Sequence, residues 1–120
     1  MPVTITPLAL GGSLKIIRDA DVDATSENNV NDGAATIYGL DIDNVAAAVT
    51  FIKFYNAAVP TVGTTDPDMI IRMPASTRRT FVFTTGIAFA TALSYAGVTA
   101  GGTAGTTSPA SDVIMNVIVA

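Results

Sequence analysis

The sequence predicts an all-β protein, an antiparallel β-sandwich or jelly-roll-like fold of about eight strands. Short runs in which apolar and polar residues alternate recur along the chain, separated by Gly, Pro, Asn and Asp. No stretch shows the 3.6-residue periodicity of a convincing amphipathic helix. At 120 residues the chain is long enough for one hydrophobic core. We therefore expect a single sandwich domain over residues 13–120, preceded by an extended arm or edge strand over residues 1–12.

The first half of the chain supplies four predicted strands. Residues 2–10 alternate Val and Ile with Thr, but Pro7 interrupts them, which favours an edge strand or an arm that reaches a neighbouring subunit. A second strand begins in residues 13–23, and the Asn- and Asp-rich segment Ala24–Ala35 is typical of a loop. The next two predicted strands are Thr36–Asn44 and Val49–Asn56.

The second half supplies four more strands with the same alternation. They are Asp68–Pro74, Thr80–Thr85, Ile87–Ala96 and the final segment from Asp112 onward. Lys53 and Arg72 lie within strands, where either could be a buried functional cation, although such a residue more often snorkels to solvent or joins an interface salt bridge. The expected core is Ile52, Phe54, Ile71, Phe81, Phe83, Phe89, Leu93, Val113, Met115 and Val117.

Composition excludes several classes of function. The chain contains no Cys, His or Trp, which excludes disulfides, thiolate nucleophiles, zinc-thiolate sites and catalytic triads that use histidine. A net charge of −4 and a pI near 4.3 argue against nucleic-acid binding, since the six basic residues are scattered. We expect neither an enzyme nor a bound cofactor.

A long uncharged segment is the most unusual feature of the sequence. Thr80–Ser111 contains 32 residues without a charge, in a chain that is 49% hydrophobic. Repeated Thr, Ser and Gly argue against a transmembrane helix, so we expect no membrane partner. No secretory signal pattern follows Met1. The segment is better interpreted as β-structure with a surface that faces another subunit.

Three acidic residues at alternate positions, Asp19, Asp21 and Asp23, resemble the start of an EF-hand loop. Ala24 stands where that loop needs Gly, and Val30 stands where it needs the bidentate Glu, so an EF-hand is excluded. A calcium site built from loop carboxylates remains the alternative. Asp residues that initiate turns at the rim of the sandwich are the favoured interpretation.

The formula T-x-G-T-T-[D/S]-P occurs twice, at Thr61–Pro67 and at Thr103–Pro109. A Gly followed by two Thr can suggest a phosphate-binding loop, but no Lys follows and no helix is expected there. Turns closed by side-chain hydrogen bonds are the favoured interpretation. The second copy lies in the uncharged segment and is a candidate for contact with a neighbouring subunit.

Two ordered pieces carry a resemblance to a known family: "FIKFYNAAVPTVGTTDPDMIIRMPAS" and "GIAFATALSYAGVTAGGTAGTTSPASDVIMNV". They resemble small virion structural proteins of tailed phages and prophages over roughly Phe51–Val117. The shared features are the aromatic-Lys-Phe-Tyr strand, the Thr-Val-Gly-Thr turn and the Thr-rich loop before the last strand. Ser76 stands where that family tends to have Gly, and Val59 interrupts its Ala-Pro pair.

The resemblance implies a virion role, and the charge-poor composition favours a capsid decoration (cement) protein on the outer surface of the head, present in the host cytoplasm during assembly. The implied partners are the major capsid protein and further copies of the chain, as a symmetric oligomer such as a homotrimer. A tail or baseplate accessory protein, or a carbohydrate-binding host-recognition module, is the alternative. The candidate interface residues are Val3, Ile5, Leu8, Tyr95, Val98, Thr103, Thr106 and Thr107.

Overall fold

Eight β-strands build the part of the chain that the structure, a computed structural model, describes: residues 3–7 and 14–120. The prediction of an all-β fold with about eight strands is confirmed. None of these residues belongs to a helix that could span a membrane. The strands are β1 (Val3–Pro7), β2 (Lys15–Asp19), β3 (Ala35–Asn44), β4 (Thr50–Tyr55), β5 (Met69–Met73), β6 (Thr77–Phe89), β7 (Ser94–Val98) and β8 (Val113–Val119).

The strands form two sheets in which every pairing is antiparallel. The five-stranded sheet has the order β1-β2-β8-β3-β6, and the three-stranded sheet has the order β5-β4-β7. Since β2, β3, β6 and β8 belong to one sheet and β4, β5 and β7 to the other, the chain crosses repeatedly between them. These crossings bring β2 and β8, which are far apart in the sequence, side by side.

The three-stranded sheet is extended beside β7 by a segment that forms only one regular β-bridge. Residues 23–30 run beside β7, with Glu27 paired to Tyr95, and backbone hydrogen bonds join Gly97 N to Asp23 O and Val30 N to Leu93 O. With this segment included, each sheet contains four strands in the order of a jelly roll, and β1 adds a fifth to one of them. The segment predicted as a loop, Ala24–Ala35, therefore covers the edge of β7.

The strand boundaries around Gly86 differ from those predicted. The expected strands Thr80–Thr85 and Ile87–Ala96 are wrong as separate elements, because β6 runs unbroken from Thr77 to Phe89. Gly86 has a φ of 78° and lies inside this strand, where the pairing with β3 shifts register. A glycine that looks like a turn is here part of a bulge, since only glycine readily adopts that φ. The chain turns later, between Phe89 and Ser94.

The core fills the space between the two sheets. Of the ten residues expected there, seven are buried, while Ile71, Phe81 and Phe83 are partly buried and pack against the core. Further large buried side chains come from β2 and β3, where Ile17, Ile37, Leu40 and Ile42 are less than 3% exposed. The alternation found these strands but not which face of each is buried.

The N-terminal strand β1 pairs with β2 of its own chain, from Val3 opposite Asp19 to Pro7 opposite Lys15. It is the edge strand of the five-stranded sheet. The other residues of the expected arm, including Leu8, lie outside the described residues.

Candidate functional site

The acidic residues proposed for calcium do not converge on one point. Asp19 is fully buried, and its carboxylate accepts hydrogen bonds from Asp21 N at 2.9 Å and from the hydroxyl of Tyr95 at 3.0 Å. Asp23 instead accepts the backbone N–H of Thr25, in a local turn. No group of three His, Cys, Asp or Glu side chains suited to a metal ion occurs among the described residues. The calcium alternative therefore lacks the geometry it needs.

Burial gives Asp19 unusual acid–base behaviour. Removal from solvent raises the pKa of its carboxyl above the ordinary value of 3.8, against the opposing effect of its two hydrogen bonds. Burial likewise raises the pKa of Glu27, whose carboxyl is also affected by the charge of Asp19. The carboxyl group of Asp19 is therefore hydrogen-bonded inside the sandwich and is not accessible to a ligand at the rim.

The expected interface residues fall into three groups. Tyr95 and Val98 are fully buried inside the monomer, so the prediction that they contact a partner is wrong; β7 is covered on both faces. Val3 is half-buried against the core and Ile5 is 49% exposed. Thr106 and Thr107 are exposed, whereas Thr103 is half-buried.

The two copies of T-x-G-T-T-[D/S]-P contact each other. The hydroxyl of Thr103 in the second copy donates a 2.8 Å hydrogen bond to Asp66 in the first. Gly63 has a φ of 93°, and a Cβ atom there would lie 2.5 Å from the methyl carbon of Thr106. The first copy is closed internally, since Thr61 O accepts both Thr64 N and Thr65 N. The formula thus supplies two turns that fit together.

The second copy belongs to a longer segment, residues 99–108, which we call the covering loop. It folds back over the outer face of β4, where Gly101 lies so close to the ring of Phe51 that a Cβ atom would meet it at 2.8 Å. Thr99 N donates to Thr107 O at 3.0 Å and closes the base of the loop. Much of the uncharged segment therefore faces its own chain.

Lys53 lies beneath the covering loop and is fully buried. Its ammonium group donates to the carbonyl oxygens of Gly102 and, at 3.4 Å, of Gly105. Burial lowers the pKa of this ammonium group. Of the alternatives for Lys53, the structure shows a buried cation and not one that snorkels to solvent, because the loop that returns over β4 supplies backbone acceptors in place of water. Sequence patterns carry no signal for that fold-back.

The outer face of the five-stranded sheet is different, because it carries a contiguous apolar surface. Val82 is 75% exposed, Ile118 40% and Tyr38 37%. They line a groove of about 300 Å³, together with Ile16 and Gly39. We call this surface the open face.

The groove owes its shape to irregular pairing in β3. Between Ile37 and Gly39 the register shifts against both β6 and β8, so Tyr38 bulges out of the regular pairing. Gly39 then contributes no side chain beside Ile118, whose Cδ1 would lie 3.5 Å from an added Cβ. Apolar residues on both alternating faces of β8 were the available sequence signal for this surface, and the sequence prediction did not use it.

Polar groups from three neighbouring strands, β8, β3 and β6, lie beside the apolar part of the groove. The guanidinium group of Arg78 donates to both carboxylate oxygens of Asp41, at 2.6 and 3.1 Å. This contact lowers the pKa of the Asp41 carboxyl. Asn116 and Thr80 complete the polar part of the lining. The groove therefore combines an apolar floor with a fixed ion pair, an arrangement that suits binding more than chemistry.

Comparisons of the chain with protein-family models, with curated proteins and with solved structures found no match.

Proposed function

We propose that this chain is a structural protein of a tailed-phage virion, a capsid decoration protein that binds and stabilises the outer surface of the head as a symmetric oligomer. The two sequence pieces that resemble phage structural proteins support this proposal, and so does the surface of the fold. The observation that carries it is the open face, where Tyr38, Val82 and Ile118 remain exposed around one groove.

The contrast between the two outer faces supports a docking role. In the three-stranded sheet the covering loop lies over β4, every residue of β7 is buried, and the exposed Ile70 belongs to the edge strand β5. A lone exposed apolar residue is ordinary, whereas a contiguous patch marks an interaction surface. The open face has such a patch, and the Arg78–Asp41 pair beside it can orient a partner without being buried at its centre.

A decoration protein with this face stabilises the shell by mass action. Burial of apolar surface on binding contributes roughly 25 cal/mol per Å². Because the protein binds only the assembled shell, each bound copy shifts the equilibrium toward assembly. The protein that it binds in the shell is the major capsid protein, and this binding needs no cofactor.

The test uses purified expanded capsids that lack the protein. Wild-type protein is expected to co-sediment with them and to raise their disassembly temperature. Ile118→Lys places a charge in the groove and is expected to weaken binding at least tenfold. Ile70→Lys is the matched control, since Ile70 is 41% exposed and Ile118 40%, on opposite sheets. Failure of the wild-type protein to bind capsids, or equal losses in both variants, would contradict the proposal.

A carbohydrate-binding role on the tail is the second candidate, favoured by one observation. The groove places the ring of Tyr38 beside Asp41, Asn116 and Thr80, a combination of aromatic surface and hydrogen-bonding groups that suits a sugar. A glycan array separates the two roles: decoration predicts no hit, and host recognition predicts a hit that Tyr38→Ala abolishes. Localisation of the protein on head or tail gives an independent answer.

A further inference from the structure

In the part of the chain that the structure describes, four strands lie at sheet edges, and three of these edges are protected. β1 and β5 have five residues each; Pro7 ends β1, while Pro67 and Pro74 flank β5. β7 is covered by residues 23–30. Short edges, prolines and covering segments are the usual devices that prevent sheets from pairing with other chains.

Within residues 3–7 and 14–120, β6 has none of these three devices. It is the longest strand, with 13 residues from Thr77 to Phe89, and it contains no proline and no acidic residue. Among the described residues it pairs with β3 on one side only. Thr80, Val82, Thr84 and Thr85 are all exposed. Its outer edge therefore presents a row of backbone donors and acceptors to an extended partner.

Only part of this edge is regular. Thr77–Val82 pair without interruption against β3, from Thr77 opposite Asn44 to Val82 opposite Gly39. Beyond Val82 the register shifts, and the next aligned residue of β6 is Ile87. A bulge of this kind bends the strand away from a straight partner. The part of β6 that is straight enough for pairing is thus the six-residue segment 77–82, which we call the flat edge.

The side chains of the flat edge suit a second copy of the same strand. In an antiparallel pair, directly opposite residues point to the same face of the sheet. A two-fold axis that relates the two strands must therefore place one residue directly opposite its own copy. An axis at Arg79 would place two arginines opposite each other, which is destabilising. An axis at Phe81 would pair only three residues of the flat edge, and an axis at Val82 would pair only one. An axis at Thr80 pairs five residues, 78–82, with no like charges opposed.

We propose that two copies of this chain pair through the flat edges of their β6 strands, antiparallel, with Thr80 opposite Thr80. The two five-stranded sheets then become one continuous sheet. Arg79 faces Phe81 of the second copy, within reach of a cation–π contact. Arg78, held by Asp41 of its own chain, lays its aliphatic stem on Val82 of the second copy and removes the most exposed apolar side chain of the open face from water.

The charges of the flat edge are compatible with a second copy in this register. Arg78 and Arg79 lie at one end of the flat edge, and the strand has no acidic residue. In the antiparallel two-fold arrangement these arginines lie opposite Val82 and Phe81 of the second copy, so no arginine is placed opposite another. The pairing also places the two open faces side by side on one side of the dimer.

Single cysteines test the register, because the chain has no cysteine of its own. Directly opposite Cα atoms lie about 5 Å apart, within the range of a disulfide, so Thr80→Cys is expected to form covalent dimers on mild oxidation. Val82→Cys is the matched control on the same strand and face. In this register two Val82 residues lie about 14 Å apart, too far for a disulfide. A cross-link at Val82 and not at Thr80 would overturn the register.

Light scattering tests the pairing without oxidation. The wild-type protein is expected at twice the 12.2 kDa mass of one chain. Thr80→Lys opposes two lysines at the axis and is expected to give monomers, whereas Thr84→Lys, beyond the flat edge, is expected to remain a dimer. A monomeric or trimeric wild-type protein, or dissociation by both variants equally, would overturn the inference.

This inference specifies the oligomer of the proposed function, and its tests use the free protein. A dimer that fails to bind capsids would contradict the capsid role and leave the pairing intact. A capsid-binding monomer would do the reverse. A trimer, which the resemblance to decoration proteins implies, has ring interfaces that a two-fold edge pairing does not produce.

Discussion

The hydroxyl of Tyr95 donates a 3.0 Å hydrogen bond to the buried carboxylate of Asp19, across the interior of the sandwich. Tyr95 belongs to β7 in the three-stranded sheet, and Asp19 ends β2 in the five-stranded sheet. The bond therefore ties the two sheets together at a polar point within an apolar core. Asp21 N supplies the second donor to the same carboxylate.

Substitution by Phe is expected to change stability differently at Tyr95 and at Tyr55, although both side chains are fully buried. Tyr95→Phe removes a donor from a buried carboxylate and should lower the free energy of unfolding by about 1–3 kcal/mol. The hydroxyl of Tyr55 is buried without a hydrogen-bond partner among the described residues. Tyr55→Phe should therefore leave stability unchanged or raise it by up to about 1 kcal/mol. Urea denaturation of both variants measures this, and a loss of equal size in both would contradict the prediction.

The stability of the protein should fall as Asp19 ionises. Because burial raises the pKa of Asp19, the folded chain holds the proton more tightly than the unfolded chain does. Its contribution to stability is greatest at pH values below the ordinary 3.8 and is lost as pH rises through the raised pKa. Asp19→Asn abolishes this dependence.

The measurement is the difference in unfolding free energy between wild type and Asp19→Asn across this pH range. The wild type should lose stability relative to the variant as pH rises. Asp112→Asn, at an exposed position, is the control. A difference that does not change with pH would show that Asp19 keeps its ordinary acidity in the fold.

The contact between the two Gly-Thr-Thr turns predicts different effects at two glycines. Gly63→Ala forces a Cβ to within 2.5 Å of Thr106 at a φ of 93°, so it should lower stability by roughly 1–3 kcal/mol. Gly102→Ala is the control, since a Cβ there meets nothing within 4 Å. Chemical denaturation compares the two. An equally stable Gly63→Ala variant would mean that the turns separate readily.

Lys53 is expected to hold the covering loop in place. Lys53→Met keeps the apolar stem but removes the ammonium donor from the carbonyl groups of Gly102 and Gly105. Hydrogen exchange of amides in residues 99–108 should then be faster by tenfold or more, since the loop opens locally. Residues of the core strands, such as Ile17, should keep wild-type protection. Unchanged exchange in the loop would contradict the anchoring role.

The sequence predicted the core best in strands where apolar and polar residues alternate and one face of the strand is buried. The core positions in β4 and β8, such as Ile52, Phe54 and Met115, follow from the two-residue period, because one face of each strand meets the opposite sheet. The same reasoning placed Tyr95 on one face of its strand. It did not show that the other face would also be covered, and so it offered a buried tyrosine as an interface residue.

The remaining features depend on contacts between residues far apart in the chain. The burial of Lys53 requires a loop about fifty residues later to return over β4. The groove requires a register shift beside Tyr38 that two neighbouring strands impose together. Such contacts are set by tertiary packing, and local patterns of one sequence do not encode them separately.

The covering loop also gives the molecule a direction. On one broad side of the sandwich residues 99–108 cover β4, with Gly102, Thr106 and Thr107 at the exposed surface of the loop, and the opposite side carries the open face. A copy attached through the open face has the covering loop pointing outward. A short peptide inserted beside Gly102 would then be displayed in a single orientation, at a site where added atoms meet open space.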